Sequence, residues 1–224
     1  MKTAYIFGAS GEIGASIAKK FESQNYEVIR FSREPKDDGQ VSIEDVRTKS
    51  VSINAADSVV WASGANLNDS INTYDADNLL SLLKANLFYI TDSLDVLLKS
   101  NLVNDNAGIV IISSVWQNFS KENKLSYTVS KSAVQGLIHS LTADLASKRI
   151  RVNGVLPGVV DTKMSRKALS DSQIKNIEGQ TPDGELVTLN NVANVSFFLA
   201  SVESKGINGQ SLTIDGGWSV VRYV

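Results

Sequence analysis

Short apolar runs alternate along the chain with longer segments in which apolar residues recur at helical spacing. The short runs predict strands at residues 3–7, 27–31, 41–43, 58–61, 108–112, 150–156 and within 209–217. The periodic segments predict helices at residues 15–23, 44–56, 79–100, 127–146 and 191–200. Strands that alternate with helices form parallel sheets. We therefore expect one α/β domain over residues 1–224, with a doubly wound, Rossmann-like parallel sheet of about seven strands and helices on both faces.

The segment between the second and fourth predicted strands is short and polar. Residues 34–57 must hold a turn, the third strand and a brief helix. A crossover between parallel strands usually needs a dozen or more residues. We expect the fold to be shortened between strands 2 and 4, with one crossover helix lost or reduced.

Composition adds mainly exclusions. The 224 residues carry a net charge of −2, one histidine and no cysteine. A charge this small gives no reason to expect nucleic-acid binding or attraction to acidic membranes. The absence of cysteine excludes disulfides, thiolate metal sites and a cysteine nucleophile, and we expect no metal site. No apolar run approaches the ~20 residues that span a bilayer, so we expect a cytoplasmic protein.

The first predicted strand runs into a glycine turn that is followed by a helix. Gly8, Gly11 and Gly14 recur at every third position, with Ser10 and Ile13 between them. The order of strand, glycine turn and helix is that of a dinucleotide-binding loop, where the backbone approaches a pyrophosphate at a helix N-terminus. We assign these five residues to a cofactor site. The alternative is a purely structural turn.

The second strand ends at Ser32 and Arg33, without the acidic residue that an NAD-selective site places on the ribose hydroxyls. Arg33 can instead bind a 2′-phosphate through two parallel hydrogen bonds. We therefore predict NADP(H) as the preferred cofactor, with NAD(H) as the alternative, and assign both residues to its site. Arg33 as an ordinary surface charge is the other interpretation.

A tyrosine and a lysine follow the strand at residues 108–112 in a pattern that suits acid–base chemistry. Tyr127 and Lys131 are four residues apart and share one face of a helix. A nearby ammonium favours the phenolate, so we expect Lys131 to lower the pKa of Tyr127. Ser114 stands at the carboxyl end of the strand, where α/β sheets bind ligands. Its hydroxyl could donate a hydrogen bond to a substrate carbonyl. The alternative interpretation is an exposed helix that carries a tyrosine and a solvated lysine at the same spacing.

These residues resemble the short-chain dehydrogenase/reductase family in its compact single-domain branch, and are similar to 3-oxoacyl-carrier-protein reductases. The resemblance runs in order along the whole chain. It implies that Ser114, Tyr127 and Lys131 are catalytic, with Tyr127 and Lys131 also touching the cofactor. Asn86 matches the family asparagine that helps hold a proton-relay water. The further cofactor residues that the resemblance implies are Ala62, Ser63, Gly64, Pro157, Gly158, Val160 and Thr162.

Two segments depart from the family pattern, the glycine turn and the end of the fourth predicted strand. Glu12 stands where the middle glycine of the turn is usual, and we expect its carboxylate to face solvent, because it would repel a pyrophosphate. Trp61 and Ala62 replace two asparagines that brace the central sheet, so another group must satisfy those bonds.

The resemblance implies an oxidoreductase that interconverts a ketone and a secondary alcohol by hydride transfer with NADP(H). One alternative is a non-catalytic NADP(H)-binding sensor or partner subunit, which the two departures favour. The second alternative is a sugar-nucleotide epimerase or dehydratase, because the glycine spacing is closer to that of the larger, extended branch of the same superfamily. Such enzymes need an extra substrate domain, for which the chain has no room.

The substrate is a small carbonyl compound or alcohol, and a carrier-bound acyl group is one candidate. The pocket residues that we predict are Trp116, Gln117, Phe119 and Met164. Residues 163–185 are polar and partly helical, which is typical of a mobile lid over a cofactor cleft. By the same resemblance we expect a homo-tetramer or homo-dimer, paired through the helices at 79–100 and 127–146.

Overall fold

The structure, a computed structural model, describes residues 1–35 and 39–221. One parallel sheet of seven strands organises it, in the order β3-β2-β1-β4-β5-β6-β7. The strands are β1 Lys2–Phe7, β2 Tyr26–Phe31, β3 Gln40–Val41, β4 Ala56–Trp61, β5 Val103–Ile112, β6 Arg151–Pro157 and β7 Ser211–Ile214. The doubly wound parallel sheet predicted from the sequence is confirmed. Its strand order reverses direction beside β1, where β4 pairs, and this is the point at which such sheets bind nucleotides.

Helices cover both faces of the sheet. The helices are α1 Glu12–Ser23, α2 Ile43–Arg47, α3 Ala76–Leu83, α4 Tyr89–Lys99, α5 Leu125–Asp144, α6 Lys163–Ala168, α7 Asp171–Gln180 and α8 Leu189–Ala200. One core layer joins α1 and α8 to the sheet, and the other joins α2, α4 and α5 to its opposite face. Because both faces are buried, the central strands are mostly apolar where they pass through the core.

The fold is shortened between β2 and β4, as expected. The helix predicted at 44–56 is wrong in extent, because α2 ends at Arg47. Ser42 and Asp45 form a capping box at its start, and Lys49, with φ of 57°, takes the left-handed conformation that terminates helices. The chain beyond it is irregular until β4 begins at Ala56.

The long helix predicted at 79–100 is interrupted. It begins earlier, at α3, where the Asp75 carboxylate accepts the backbone N–H of Asp77 at 2.7 Å. A π-helical turn, Lys84–Phe88, then separates α3 from α4. Such turns insert one residue and are frequent at functional sites. Here the turn carries the buried side chain of Asn86.

Trp61 explains how the sheet is braced without the asparagines of the family. Its ring, fully buried, stacks on Phe7 with centroids 4.9 Å apart, and Phe7 stacks on Phe31 at 4.4 Å. Its indole N–H donates to the Ser93 hydroxyl on α4 at 2.9 Å. The rings of Phe31, Phe7 and Trp61 thus form a row across β2, β1 and β4, and a hydrogen bond joins this row to α4.

Within the part of the chain that the structure describes, no helix has both the length and the apolar character needed to cross a bilayer.

Trp61→Ala should lower the free energy of unfolding by ~3–5 kcal/mol, because it removes a buried aromatic side chain and leaves a cavity. Urea denaturation followed by circular dichroism measures this loss. Ile71→Ala, at a side chain that is 75% exposed, is the control and should change stability by less than ~0.5 kcal/mol. Similar losses in the two variants would contradict the bracing role.

Candidate active site

Ser114, Tyr127 and Lys131 meet at the carboxyl end of β5. Ser114 lies two residues beyond the end of the strand at Ile112, and its side chain lies beside the Tyr127 hydroxyl, close enough to affect the pKa of that group. The Lys131 ammonium lies 5.8 Å from the centre of the Tyr127 ring and donates to the Ile112 carbonyl at 3.3 Å. The helix α5 holds both residues on one face, while the strand supplies the hydroxyl. The three side chains singled out from the sequence therefore form one cluster.

Burial dominates the protonation of Tyr127. The expectation that Lys131 lowers the pKa of this phenol is wrong for the geometry of the structure. Desolvation raises the pKa of Tyr127, and the hydrogen bond from Ser114 only partly opposes that rise. The phenol is therefore protonated at neutral pH and available as a proton donor.

Lys131 is itself perturbed by burial. Its side chain is 5% exposed, and desolvation lowers its pKa to about 8. Below about pH 8 the group is an ammonium, and above it a neutral amine. Perturbed buried groups in a cleft are typical of functional sites.

Asn86 connects this cluster to the loop after β4. Its amide oxygen accepts from Ala65 N at 2.7 Å, and its amide nitrogen donates to Ala65 O and to the Ser130 hydroxyl, each at 3.0 Å. Gly64 lies between: a Cβ added there would stand 3.0 Å from the Asn86 oxygen and 3.5 Å from the Lys131 nitrogen. Asn86 thus fixes the loop against the lysine.

The glycine turn after β1 leaves no room for a side chain at Gly8 or Gly14. Gly8 has φ of 78°, and a Cβ on Gly14 would lie 2.2 Å from the Gly8 carbonyl oxygen. Ser10 and Gly11 are exposed, while Ile13 packs partly against the core. The turn places the N-terminus of α1 at the carboxyl edge of the sheet, which suits a pyrophosphate.

The sequence predicted that the Glu12 carboxylate faces solvent. In the structure this carboxylate also has a protein partner. It accepts the backbone N–H of Lys163 at 2.9 Å. Lys163 is the first residue of α6, whose N-terminal Thr162 hydroxyl accepts from Ser165 N at 3.1 Å. The bond therefore joins the glycine turn to the start of the predicted lid, and the sequence carried no signal of this partner.

The other predicted cofactor residues lie along the same edge. Ala62 N donates to the Phe7 carbonyl at 2.9 Å, and Ser63 follows with a buried hydroxyl that lacks a partner among the described residues. Across the sheet, Pro157 ends β6, and Gly158 N donates to Ile214 O at 2.8 Å. Val160 forms a bridge with Val187 at the base of the lid, ahead of Thr162. A buried unpaired hydroxyl beside a glycine turn fits a polar ligand such as a dinucleotide.

Arg33 borders a cavity of about 530 Å³. It is exposed just beyond β2, where Ser32 donates to the Glu34 carbonyl at 2.9 Å. Lys84 and Tyr89 line the same cavity, and the buried Tyr89 hydroxyl lacks a partner among the described residues. Asp92 lines the cavity as well. Two cations against one carboxylate leave a net positive charge, which together with the unpaired hydroxyl fits an anionic nucleoside group. The sequence analysis missed Lys84, because a lysine in a helical segment is usually interpreted as a solvated surface charge.

Aromatic side chains form one wall beside the cluster of Ser114, Tyr127 and Lys131. Trp116 and Phe119 pack with ring centroids 5.2 Å apart, and Trp218 lies 5.9 Å from each. Trp218 was missed because it follows the last strand, far from the others in sequence. Of the other predicted pocket residues, Gln117 is buried against Gln135 and Ser211, and Met164 is 73% exposed on α6.

A parallel sheet with a glycine turn after its first strand, and a tyrosine beside a buried lysine at its carboxyl edge, is typical of a nucleotide-dependent oxidoreductase. The family model described as Enoyl-(Acyl carrier protein) reductase matches residues 42–219. The chain belongs to the short-chain dehydrogenase/reductase family, whose members are NAD(P)-dependent oxidoreductases.

Individual relatives match along nearly the whole chain. The 3-oxoacyl-[acyl-carrier-protein] reductase of Escherichia coli (strain K12) is 28% identical, with 98% of each chain covered. An uncharacterized oxidoreductase of Bacillus subtilis (strain 168) is 27% identical over 97% of this chain and 98% of the relative. The aldohexose dehydrogenase of Thermoplasma acidophilum, solved in ligand-free form, superposes with a TM-score of 0.86 at 26% identity, covering 100% of this chain and 96% of that one.

The Lys131 side chain should titrate with a midpoint at about pH 8, because its ammonium is desolvated. NMR of the full chain with ¹³C-labelled lysines measures this against the ~10.4 of a free lysine. Lys131→Arg should remove the low-pKa resonance, whereas Lys19→Arg, on the surface, should leave it in place. A Lys131 midpoint near that of a free lysine would contradict the burial argument.

Proposed function

We propose that this protein reduces a ketone to a secondary alcohol with NADP(H). The observation that carries the proposal is the partly buried Tyr127, whose hydroxyl lies beside the Ser114 side chain and whose ring centre is 5.8 Å from the Lys131 ammonium. Because burial raises the pKa of Tyr127, the phenol holds its proton at neutral pH and can give it away. This favours reduction over oxidation as the reaction at neutral pH.

Each member of the cluster has a separate task. The bound cofactor supplies the hydride to the carbonyl carbon. Tyr127 donates its proton to the carbonyl oxygen, and Ser114 donates a hydrogen bond to the same oxygen and so stabilises its developing charge. Lys131 stabilises the phenolate that remains and would hold the ribose of the cofactor. Asn86, which matches the family asparagine, would help to hold a water that returns a proton toward Lys131.

The preference for NADP(H) rests on the two cations beside the cavity at the end of β2. Arg33 and Lys84 line it together, and the pyrophosphate would rest on the turn at Gly8 and Gly14. A 2′-phosphate would bring a negative charge to Arg33, where NAD(H) offers only a hydroxyl. The family relation supports NAD(P) use, and Arg33 selects between the two.

Carrier-bound acyl groups remain one candidate substrate, because the Escherichia coli relative is named for such a substrate. The residues of α6 and α7 form the lid over the cleft. The Trp218 indole N–H donates to the Gln180 side chain at 3.3 Å and so joins α7 to the C-terminal segment.

A homo-dimer or homo-tetramer is supported by three apolar side chains that are 40–46% exposed on α3, the π-helical turn and α5, namely Leu80, Phe88 and Val129. A cytoplasmic location stays a prediction.

The non-catalytic alternative loses the support that the sequence departures lent it. Glu12 and Trp61 are both accommodated by specific hydrogen bonds, to Lys163 N and to Ser93. Neither distorts the Ser114–Tyr127–Lys131 cluster. A module that only bound the cofactor would have no use for a tyrosine placed beside that serine.

Tyr127→Phe should reduce turnover by at least ~100-fold and leave the NADPH dissociation constant within about threefold, because it removes the proton donor and keeps the ring. NADPH absorbance in a carbonyl screen gives turnover, and fluorescence titration gives affinity. Tyr74→Phe, at a tyrosine that is 46% exposed, is the matched control. Undiminished reduction by the Tyr127 variant would discard the mechanism.

Arg33→Ala should weaken NADPH binding by ~10–100-fold and NADH binding by less than about threefold, since only NADPH carries the charge that Arg33 pairs. Calorimetric titration with each cofactor measures the two losses. Arg30→Ala is the control, because Arg30 lies on β2, three residues before Arg33, and pairs with Glu22. Equal losses for the two cofactors would remove the NADP(H) assignment.

A further inference from the structure

Glu12, the first residue of α1, links two segments that the proposed cofactor has to reach. Its carboxylate accepts the backbone N–H of Lys163 at 2.9 Å, although the two residues are 151 positions apart in the sequence. The glycine turn just before Glu12 is the proposed pyrophosphate site, and Thr162, just before Lys163, is a predicted cofactor contact. The hydrogen bond from Lys163 to Glu12 therefore joins the two sides of the proposed cofactor cleft.

The Lys163 N–H has no partner other than Glu12 within residues 1–35 and 39–221. Lys163 is the first residue of α6, and the amides in the first turn of a helix have no acceptor within that helix. The Thr162 hydroxyl caps α6 by accepting from Ser165 N at 3.1 Å, which leaves the Lys163 amide to Glu12. Opening of this one bond is therefore visible at one amide.

Few other contacts hold α6 against the rest of the described chain. None of the residues of α6 is buried. The Arg166 guanidinium donates to both carboxylate oxygens of Asp161, at 2.6 and 2.8 Å, but this pair fixes α6 only to the segment just before it. In α7, Ile174 is the buried residue. Segments with few buried contacts open at a low cost in free energy, so one bond from Glu12 matters to where α6 begins.

The charge of Glu12 opposes the ligand that its position would serve. The N-terminus of a helix favours an anion, and at α1 both the Glu12 carboxylate and a bound pyrophosphate would use the same helix end. Like charges at one helix end repel each other. The ion pairs in the described part of the chain do not include Glu12, so no paired cation offsets this repulsion.

We propose that Glu12 is a positioning residue, which holds the start of α6 in the cofactor-free protein and releases it when the pyrophosphate of NADP(H) binds. The inference rests on the proposed function for its ligand, and it adds a coupling between that ligand and the predicted lid. Because the bond from Lys163 has to open for the pyrophosphate to bind, the apparent affinity for the cofactor falls in proportion to the fraction of molecules in which the bond is open.

Three variants separate the hydrogen bond from the charge. Glu12→Gln keeps a side-chain oxygen that accepts from Lys163 N but loses the charge, and Glu12→Gly loses both. Glu203→Gln is the matched control, because it makes the same change of charge at an exposed carboxylate beside the amino end of β6, at the other edge of the sheet.

Calorimetric titration measures the effect of each variant on cofactor affinity. The NADPH dissociation constant should fall by ~3–10-fold in Glu12→Gln and in Glu12→Gly, since the repulsion is removed in both, and should stay within about twofold in Glu203→Gln.

Hydrogen exchange at the Lys163 amide follows the bond itself. NMR of protein labelled with ¹⁵N-lysine observes this amide, and Lys163→Arg assigns its signal. In the wild-type protein, saturating NADPH should speed the exchange by at least ~threefold. In Glu12→Gln the exchange should not respond to NADPH, because the neutral amide is not repelled. In Glu12→Gly it should be fast with and without NADPH. A residue with a merely structural role would give no response to the ligand in the wild-type protein.

Exchange at Lys163 that NADPH slows or leaves unchanged in the wild-type protein would overturn the inference. Equal NADPH dissociation constants in Glu12→Gln and Glu203→Gln would also overturn it, and would leave the proposed function in place, because the cofactor still binds. If NADPH and NADH bind to none of these proteins, the cofactor assignment of the proposed function fails, and this inference fails with it. If Glu12→Gly does not fold, Glu12→Gln carries both comparisons.

Discussion

The burial of the Lys131 ammonium between α5 and β5 is the constraint on which the rest of the site depends. Its bond to the Ile112 carbonyl ties the helix to the last residue of the strand, so the tyrosine one turn earlier must face the serine that follows that strand. The charge is tolerated because the carbonyl and the loop fixed by Asn86 surround it. Desolvation then sets the protonation of both Lys131 and Tyr127, which makes the packing of one helix a determinant of the chemistry.

Shortening of the chain between β2 and β4 is compatible with a stable sheet because side chains cover what a helix would have covered. On the α1 face, Tyr26 packs edge-on against Phe21 and Phe197, with ring centroids 5.2 and 5.9 Å away. Arg30 pairs with Glu22 across the same surface. Arg33, just beyond β2, is exposed beside an open cavity.

The sequence predicted the parallel sheet and the Ser114, Tyr127 and Lys131 cluster, because apolar periodicity and fixed spacing on one element are local signals. It failed where the outcome depends on tertiary contacts. The direction of the Tyr127 pKa depends on how deeply packing buries the ring, which no spacing reveals. Trp218 joins Trp116 only through the sheet order, and the left-handed residue Lys49 ended a helix that propensity would have continued.

Glu12 has a consequence for how sequences of this kind can vary. Its carboxylate depends on a backbone N–H at residue 163, so no side chain at that partner position is required. What must be kept is the start of α6 and its distance from the glycine turn. Among homologues, a glycine at position 12 should therefore occur together with insertions ahead of α6. The identity of one residue would then correlate with the length of a loop.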